Sequence, residues 1–193
     1  MTLKSDPVSG ITRRTVLKAA VGIRLEKQLG EKPADSEVAP NHIGPQENDQ
    51  LVFMFGQQKG EIITPRDLPL GGPQVFAYPM DPTTKLVKDS SRLNQVILAR
   101  LEPEEISERI RKKTVMGVVA YSAVCTHTGC DVSEWNSDTG NFVCSCHYSE
   151  FDPRRSAQVM NGPAPRRLAQ LPLKLEKGVL MAAGGFSGRV GPK

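Results

Sequence analysis

Aromatic side chains are scarce in this 193-residue chain, with six Phe, three Tyr and one Trp making up 5%. An apolar fraction of 38% still supplies a core, so aliphatic residues must build most of it. No run of 18 apolar residues occurs, which argues against a membrane-spanning helix. A surplus of one charge is missing too. Lys and Arg number 25 against 21 Asp and Glu, giving a formal net charge of +4, and the cations are scattered. Without a basic stripe interleaved with aromatics, nucleic-acid binding has no support; the charge suggests only mild steering toward an acidic partner. Internal repeats, a nucleophile triad, a phosphate-cradling glycine loop and a convincing carboxylate pair are all lacking. The chain is therefore expected to be a non-catalytic subunit.

The cysteines number four and fall within one 22-residue window, which is not the spread of a disulfide scaffold. They lie in Cys125-Thr126-His127-Thr128-Gly129-Cys130 and Cys144-Ser145-Cys146-His147, together with two of the three histidines. Each segment offers a cysteine and a histidine at close spacing, plus one extra cysteine. Two thiolates on one iron and two imidazoles on the other suit a [2Fe–2S] cluster, leaving two cysteines that could pair. Thiolates and imidazoles at these spacings could also hold a tetrahedral zinc, making the protein a zinc-stabilised interaction module. Six donors exceed the four that one zinc takes. His42 lies far away in sequence and reads as a surface residue.

Two N-terminal readings stand side by side. Thr12-Arg13-Arg14-Thr15-Val16-Leu17-Lys18 resembles a twin-arginine export signal, the address of proteins exported already folded. Such a signal needs an apolar stretch of roughly 7–15 residues, yet Arg24, Glu26 and Lys27 interrupt this one at once. The other reading is an amphipathic helix over 14–29, stopped by Gly30. Export would suit a disulfide, which persists in oxidising compartments. Residues 1–50 thus form an N-terminal segment, ending in a polar, proline-bearing arm over 31–49.

Residues 51–189 read as one all-β domain, because short apolar runs alternate with turn signals. Strands are expected over 51–55, 61–64, 74–78, 94–101, 116–122, 170–175 and 179–183. A hairpin over 131–143, turning at Asn136-Ser137-Asp138-Thr139-Gly140, would carry the two Cys/His segments toward each other. Trp135 is expected to pack under it. Glu102 to Lys113 predicts a charged surface helix, with Pro103 in its first turn and Arg109, Arg111, Lys112 and Lys113 near its end.

Cys125-x-His127-x-Gly129-Cys130 and Cys144-x-Cys146-His147-x-Ser149 resemble the motifs of Rieske iron–sulfur proteins. The resemblance implies an antiparallel β-sandwich with an inserted cluster-binding subdomain over about 116–168, and one [2Fe–2S] cluster. It implies Cys125 and Cys144 on one iron, His127 and His147 on the other, and a Cys130–Cys146 disulfide. Ring-hydroxylating members usually lack the second cysteine of each loop. The disulfide branch is therefore favoured, as in cytochrome bc complexes and the arsenite oxidase small subunit. Gly162-Pro163-Ala164-Pro165 is similar to the proline loop that covers the cluster. Ser149 matches a serine that donates to a bridging sulfide, while Phe151 stands where high-potential members often carry tyrosine. A potential below that of quinol-oxidising members is expected. Outward ring nitrogens of His127 and His147 would couple proton to electron movement.

Thr128 occupies a position usually apolar in bc-complex members, and Tyr148 replaces their usual glycine. Together with Ala120-Tyr121-Ser122 and Glu150-Phe151-Asp152, this looks more like the arsenite oxidase subunit. The expectation is an electron relay between a catalytic oxidoreductase subunit and a quinone or cytochrome. It is placed in the periplasm if the export motif works and in the cytoplasm if not. A bc-type quinol oxidase subunit is the alternative, and the lack of a spanning helix weighs against it.

Overall fold

A computed structural model describes residues 43–193. The export motif, the predicted helix over 14–29 and His42 lie outside the described residues. Among the described residues no helix is long and apolar enough to cross a membrane.

The period-2 pattern of aliphatic and β-branched residues yields two antiparallel sheets. The larger uses β1 (Gln50–Phe53), β2 (Val75–Met80), β3 (Val96–Arg100), β4 (Val118–Ser122), β9 (Leu173–Glu176) and β10 (Val179–Ala182), in the order β4-β3-β2-β1-β10-β9. The smaller uses β5 (Glu134–Asn136), β6 (Asn141–Cys144), β7 (Ser149–Asp152) and β8 (Gln158–Asn161), paired in chain order. It is inserted between β4 and β9, as the expected subdomain requires.

The large sheet curls until its ends meet. Residues just before β9 pair with β4: the Ser122 amide donates to Ala169 O at 2.8 Å and the Leu171 amide to Ala120 O at 2.9 Å. The base core lies inside this curl, where Leu51, Ala77, Val96, Leu98, Val118, Ala120, Leu173 and Leu180 converge. Alternate residues of β3 and β4 point the other way. Ile97, Ala99, Val119 and Tyr121 join Phe142, Cys144 and Phe151 of the small sheet in a second core. These two strands are therefore buried on both faces, which explains their unbroken apolar character. The Tyr121 hydroxyl inside this core donates to Pro153 O at 2.8 Å, so its burial leaves no unmet donor.

Two expected elements differ. The return limb over 61–64 does turn back along β1, with Ile62 opposite Val52, the Phe53 amide donating to Glu61 O and the Ile63 amide to Leu51 O. It forms an isolated bridge rather than a full strand, because β10 takes the same edge of β1 at Gln50. The helix expected from Glu102 shrinks to one turn, α1 (Glu108–Arg111). The Ser107 amide donates to Arg154 O instead of a carbonyl one turn back, which breaks the helical ladder there. Nor is the segment wholly solvated: Ile106 and Ile110 are buried in the second core. The end of the polar arm is also anchored. Asp49 forms a buried ion pair with Lys88 at 2.6 Å, and the Asn48 amide donates to Ala182 O.

Candidate metal centre

Both Cys/His segments are loops at one end of the small sheet. The first leaves β4 and is closed by the Cys125 amide donating to Cys130 O at 2.8 Å and the Gly129 amide donating to Cys125 O at 3.1 Å. The second turns between β6 and β7, where Cys144 pairs with Ser149 and the Tyr148 amide donates back to Cys144 O. The expected hairpin does form, with Trp135 opposite Phe142 and their rings edge to face at 5.5 Å.

All six candidate donors come together. Cys130 and Cys146 are disulfide-bonded, with Sγ atoms 2.15 Å apart, and tie one loop to the other. Cys125 and Cys144 are free thiols, 1% and 2% exposed, on the core side. The His127 and His147 rings meet edge to face with centroids 4.6 Å apart, and His147 is exposed. The donors are thus sorted, the free thiols in the core and the His147 ring toward the surface, with His127 between them in burial.

This arrangement fits a metal group. Burial, with a lesser contribution from the Cys144 thiol, pushes the Cys125 thiol up to about 11, against opposing hydrogen bonds from the His127 and Thr128 amides. A buried thiol pair with amides aimed at its sulfur is inert alone, and a cation there would displace its protons. His127 Nδ1 is buried and has no hydrogen-bond partner, an acceptor left for a ligand to fill.

A model of the Rieske [2Fe-2S] domain matches residues 86–172. The cytochrome bc1 complex Rieske iron-sulfur subunit of Streptomyces lividans is 34% identical over 144 residues, covering 72% of this chain and 84% of that one. The chain belongs to the Rieske iron–sulfur family. As a Rieske protein it carries one [2Fe–2S] cluster and serves electron transfer. A protein named as a respiratory nitrate reductase Rieske subunit, from Haloferax mediterranei, is 44% identical over 98 residues, half of this chain. The chain spans 44% of that relative and 40% of the Streptomyces coelicolor bc1 subunit. Among solved structures, the plasma membrane Rieske protein PetC3 of Synechocystis PCC 6803 is 23% identical. Its TM-score is 0.37 over 56% of this chain and 84% of that one.

The remaining expected site residues of this Rieske domain lie close by. Ser149 is fully buried, and its Oγ accepts the Ala164 amide at 3.1 Å, which brings the 162–165 loop against the second metal loop. Gly162 packs onto backbone atoms of Tyr148 and Ser149. Phe151 is fully buried opposite Phe142.

Sequence reading missed the residues that brace the first loop from a distance. Thr126 Oγ1 donates to Arg166 O at 2.6 Å, and the Arg166 guanidinium donates to Arg189 O and Gly191 O of the C-terminal segment. On the other flank Arg92 donates to Gly129 O and pairs with Asp131. No local pattern announces these contacts, since the partners are 23 to 40 residues apart.

Proposed function

We propose that Cys125 and Cys144 hold one iron, that His127 and His147 hold the other, and that the protein relays single electrons between a catalytic oxidoreductase subunit and a quinone or cytochrome. The observation that carries this reading is the sorting of the donors: two free thiols buried in the core, two imidazoles packed edge to face with only His147 exposed, and the remaining cysteines joined. The bound group supplies reversible one-electron chemistry. The disulfide keeps the two loops in register, and the buried thiols hold their end of the site away from water. The exposed His147 and Tyr148, the latter 69% exposed, present the contact surface to a redox partner.

Ser149 tunes the site. Its oxygen accepts the Ala164 amide, which leaves the hydroxyl proton free to donate toward cluster sulfur. Phe151 has no hydroxyl, so the potential lies below that of tyrosine-bearing quinol-oxidising members. The names of the two relatives support a catalytic partner of the nitrate-reductase or bc1 kind. A bc-type quinol oxidase subunit is the second reading, supported by the 34% identity to the Streptomyces lividans subunit. Export by the twin-arginine route to the periplasm rests on Arg13 and Arg14, supported by a disulfide of the kind that oxidising compartments preserve.

Iron and acid-labile sulfide assays on anaerobically purified protein test the site, together with the spin-resonance spectrum after reduction. Equal iron and sulfide with a rhombic signal are expected. Equimolar zinc without that signal defeats the reading. Copurification of the endogenous partner tests the relay, and cell fractionation of an Arg13→Lys/Arg14→Lys variant tests export.

A further inference from the structure

A cavity of about 230 Å³ lies between α1 and the segment that closes the large sheet, and no residue of the two metal loops lines it. Its rim carries Arg109, Lys113 and Arg167, and no carboxylate lines it. Among the described residues none of these three cations joins an ion pair. Asp152, nearby in the chain, is engaged by Arg154 and Arg155 at 3.6 Å each. Lys113 donates to the Ser187 hydroxyl at 3.3 Å, and Ser187 also lines the cavity. The adjoining cavity shares Arg167 and Ser187 and adds Arg189 and Lys193, again without an acid.

A crowd of cations on a surface is not yet a site. The second observation is in the wall. Gln170 lines the cavity, is only 6% exposed, and its Nε2 donates to nothing. A buried amide donor without an acceptor is costly, and a small rotation of this side chain that brings Nε2 to an oxygen in the cavity would relieve it. Ser156, also buried, lines the same wall. Three cations favour an anion of more than one charge, and guanidinium forks suit oxygens in tetrahedral array. The volume suits a small group rather than a peptide.

We propose that this pocket binds a phosphate-type oxyanion, gripped by Arg109, Lys113 and Arg167 at the rim and by the Gln170 amide in the wall. The group is free phosphate or the phosphate of an anionic lipid headgroup, since both present the same oxygens. The site is independent of how the iron ligands are assigned.

Calorimetry of cluster-loaded protein with inorganic phosphate, against chloride at fixed ionic strength, is the first arm. Flotation with phosphatidylcholine vesicles, with and without phosphatidic acid, is the second. Three variants are compared: Arg167→Gln, Gln170→Met, and Lys59→Gln, which removes one charge from a different cavity. Saturable one-to-one phosphate binding is expected, weakened about tenfold in the first two variants and unchanged in the third. Flotation that needs phosphatidic acid and is lost in the same two variants assigns the headgroup, and phosphate binding without flotation assigns the free ion. The proposal is overturned if neither probe binds. It is equally overturned if Lys59→Gln weakens binding as much as Arg167→Gln, or if both pocket variants bind like the parent. An unchanged visible dichroism of the cluster certifies that the variants are folded.

Discussion

Replacing Gly162 by alanine should lift the loop that covers the metal site. Gly162 sits at φ +85°, and a Cβ there would lie 2.5 Å from Ser149 Cα and 2.8 Å from both Ser149 N and Tyr148 O. All three are backbone atoms, so no flexible side chain can swing aside. Restoring ordinary contact means moving the loop by roughly 0.9 Å, from 2.5 to 3.4 Å. Gly178 makes an apt control, because its φ is +83° and nothing lies within 4 Å of its Cβ position. Left-handed backbone costs a non-glycine residue about 1–2 kcal/mol, offset by about 0.4–1 kcal/mol from the stiffer unfolded chain. Gly178→Ala should therefore cost about 1 kcal/mol. Gly162→Ala adds the stretched Ala164–Ser149 hydrogen bond and the lost packing of buried Ala164, about 1 kcal/mol each. In a domain of this size the expected losses in Tm are about 2–4 °C for Gly178→Ala and about 6–12 °C for Gly162→Ala. Far-ultraviolet dichroism of cluster-loaded protein at one scan rate measures both. A redox titration should also show the midpoint falling in Gly162→Ala alone, as the Ser149 hydroxyl loses its orientation. Equal thermal losses in the two variants, with no change in midpoint, would refute the close-contact reasoning.

Cys130→Ser opens a bridge between residues 16 apart and should cost about 3 kcal/mol, with cluster still assembled but lost faster on heating. Complete failure to assemble would mean that ligand and bridge cysteines are exchanged. Phe151→Tyr should raise the midpoint potential, and an unchanged value would show that the ring is misplaced relative to the cluster. Gly72→Ala would put a Cβ 2.3 Å from Trp135 Cε2, so the single tryptophan's emission should shift; Gly71→Ala, with open space around it, should leave emission alone. Lys88→Met strands the buried Asp49 carboxylate and should cost about 3–5 kcal/mol in denaturant unfolding, largely recovered by adding Asp49→Leu.

Donor types, their spacing and the strand alternation are local properties, and they were legible in the chain alone. Cys125, His127, Cys144 and His147 announce a mixed sulfur–nitrogen site because few other chemistries need that set so close together. The hairpin at 136–140 and the buried β3 and β4 follow from turn chemistry and unbroken aliphatic runs. Contacts between distant residues were not legible. That the 61–64 limb shares one edge of β1 with β10, which takes Gln50, is one of them. The helix predicted from Glu102 stops short because Arg154 O, 47 residues away, takes the Ser107 amide. Closure of the large sheet, the bracing of Thr126 by Arg166, and the cavity that Gln170 shares with Arg109, Lys113 and Arg167 each require segments far apart in the chain to meet. Sequence by itself narrowed this protein to a metal held by thiolates and imidazoles, because ligand chemistry resides in individual side chains. Tertiary structure decided which thiols are buried, what presses on the loops and where spare charge collects, because burial and electrostatics are properties of the folded whole.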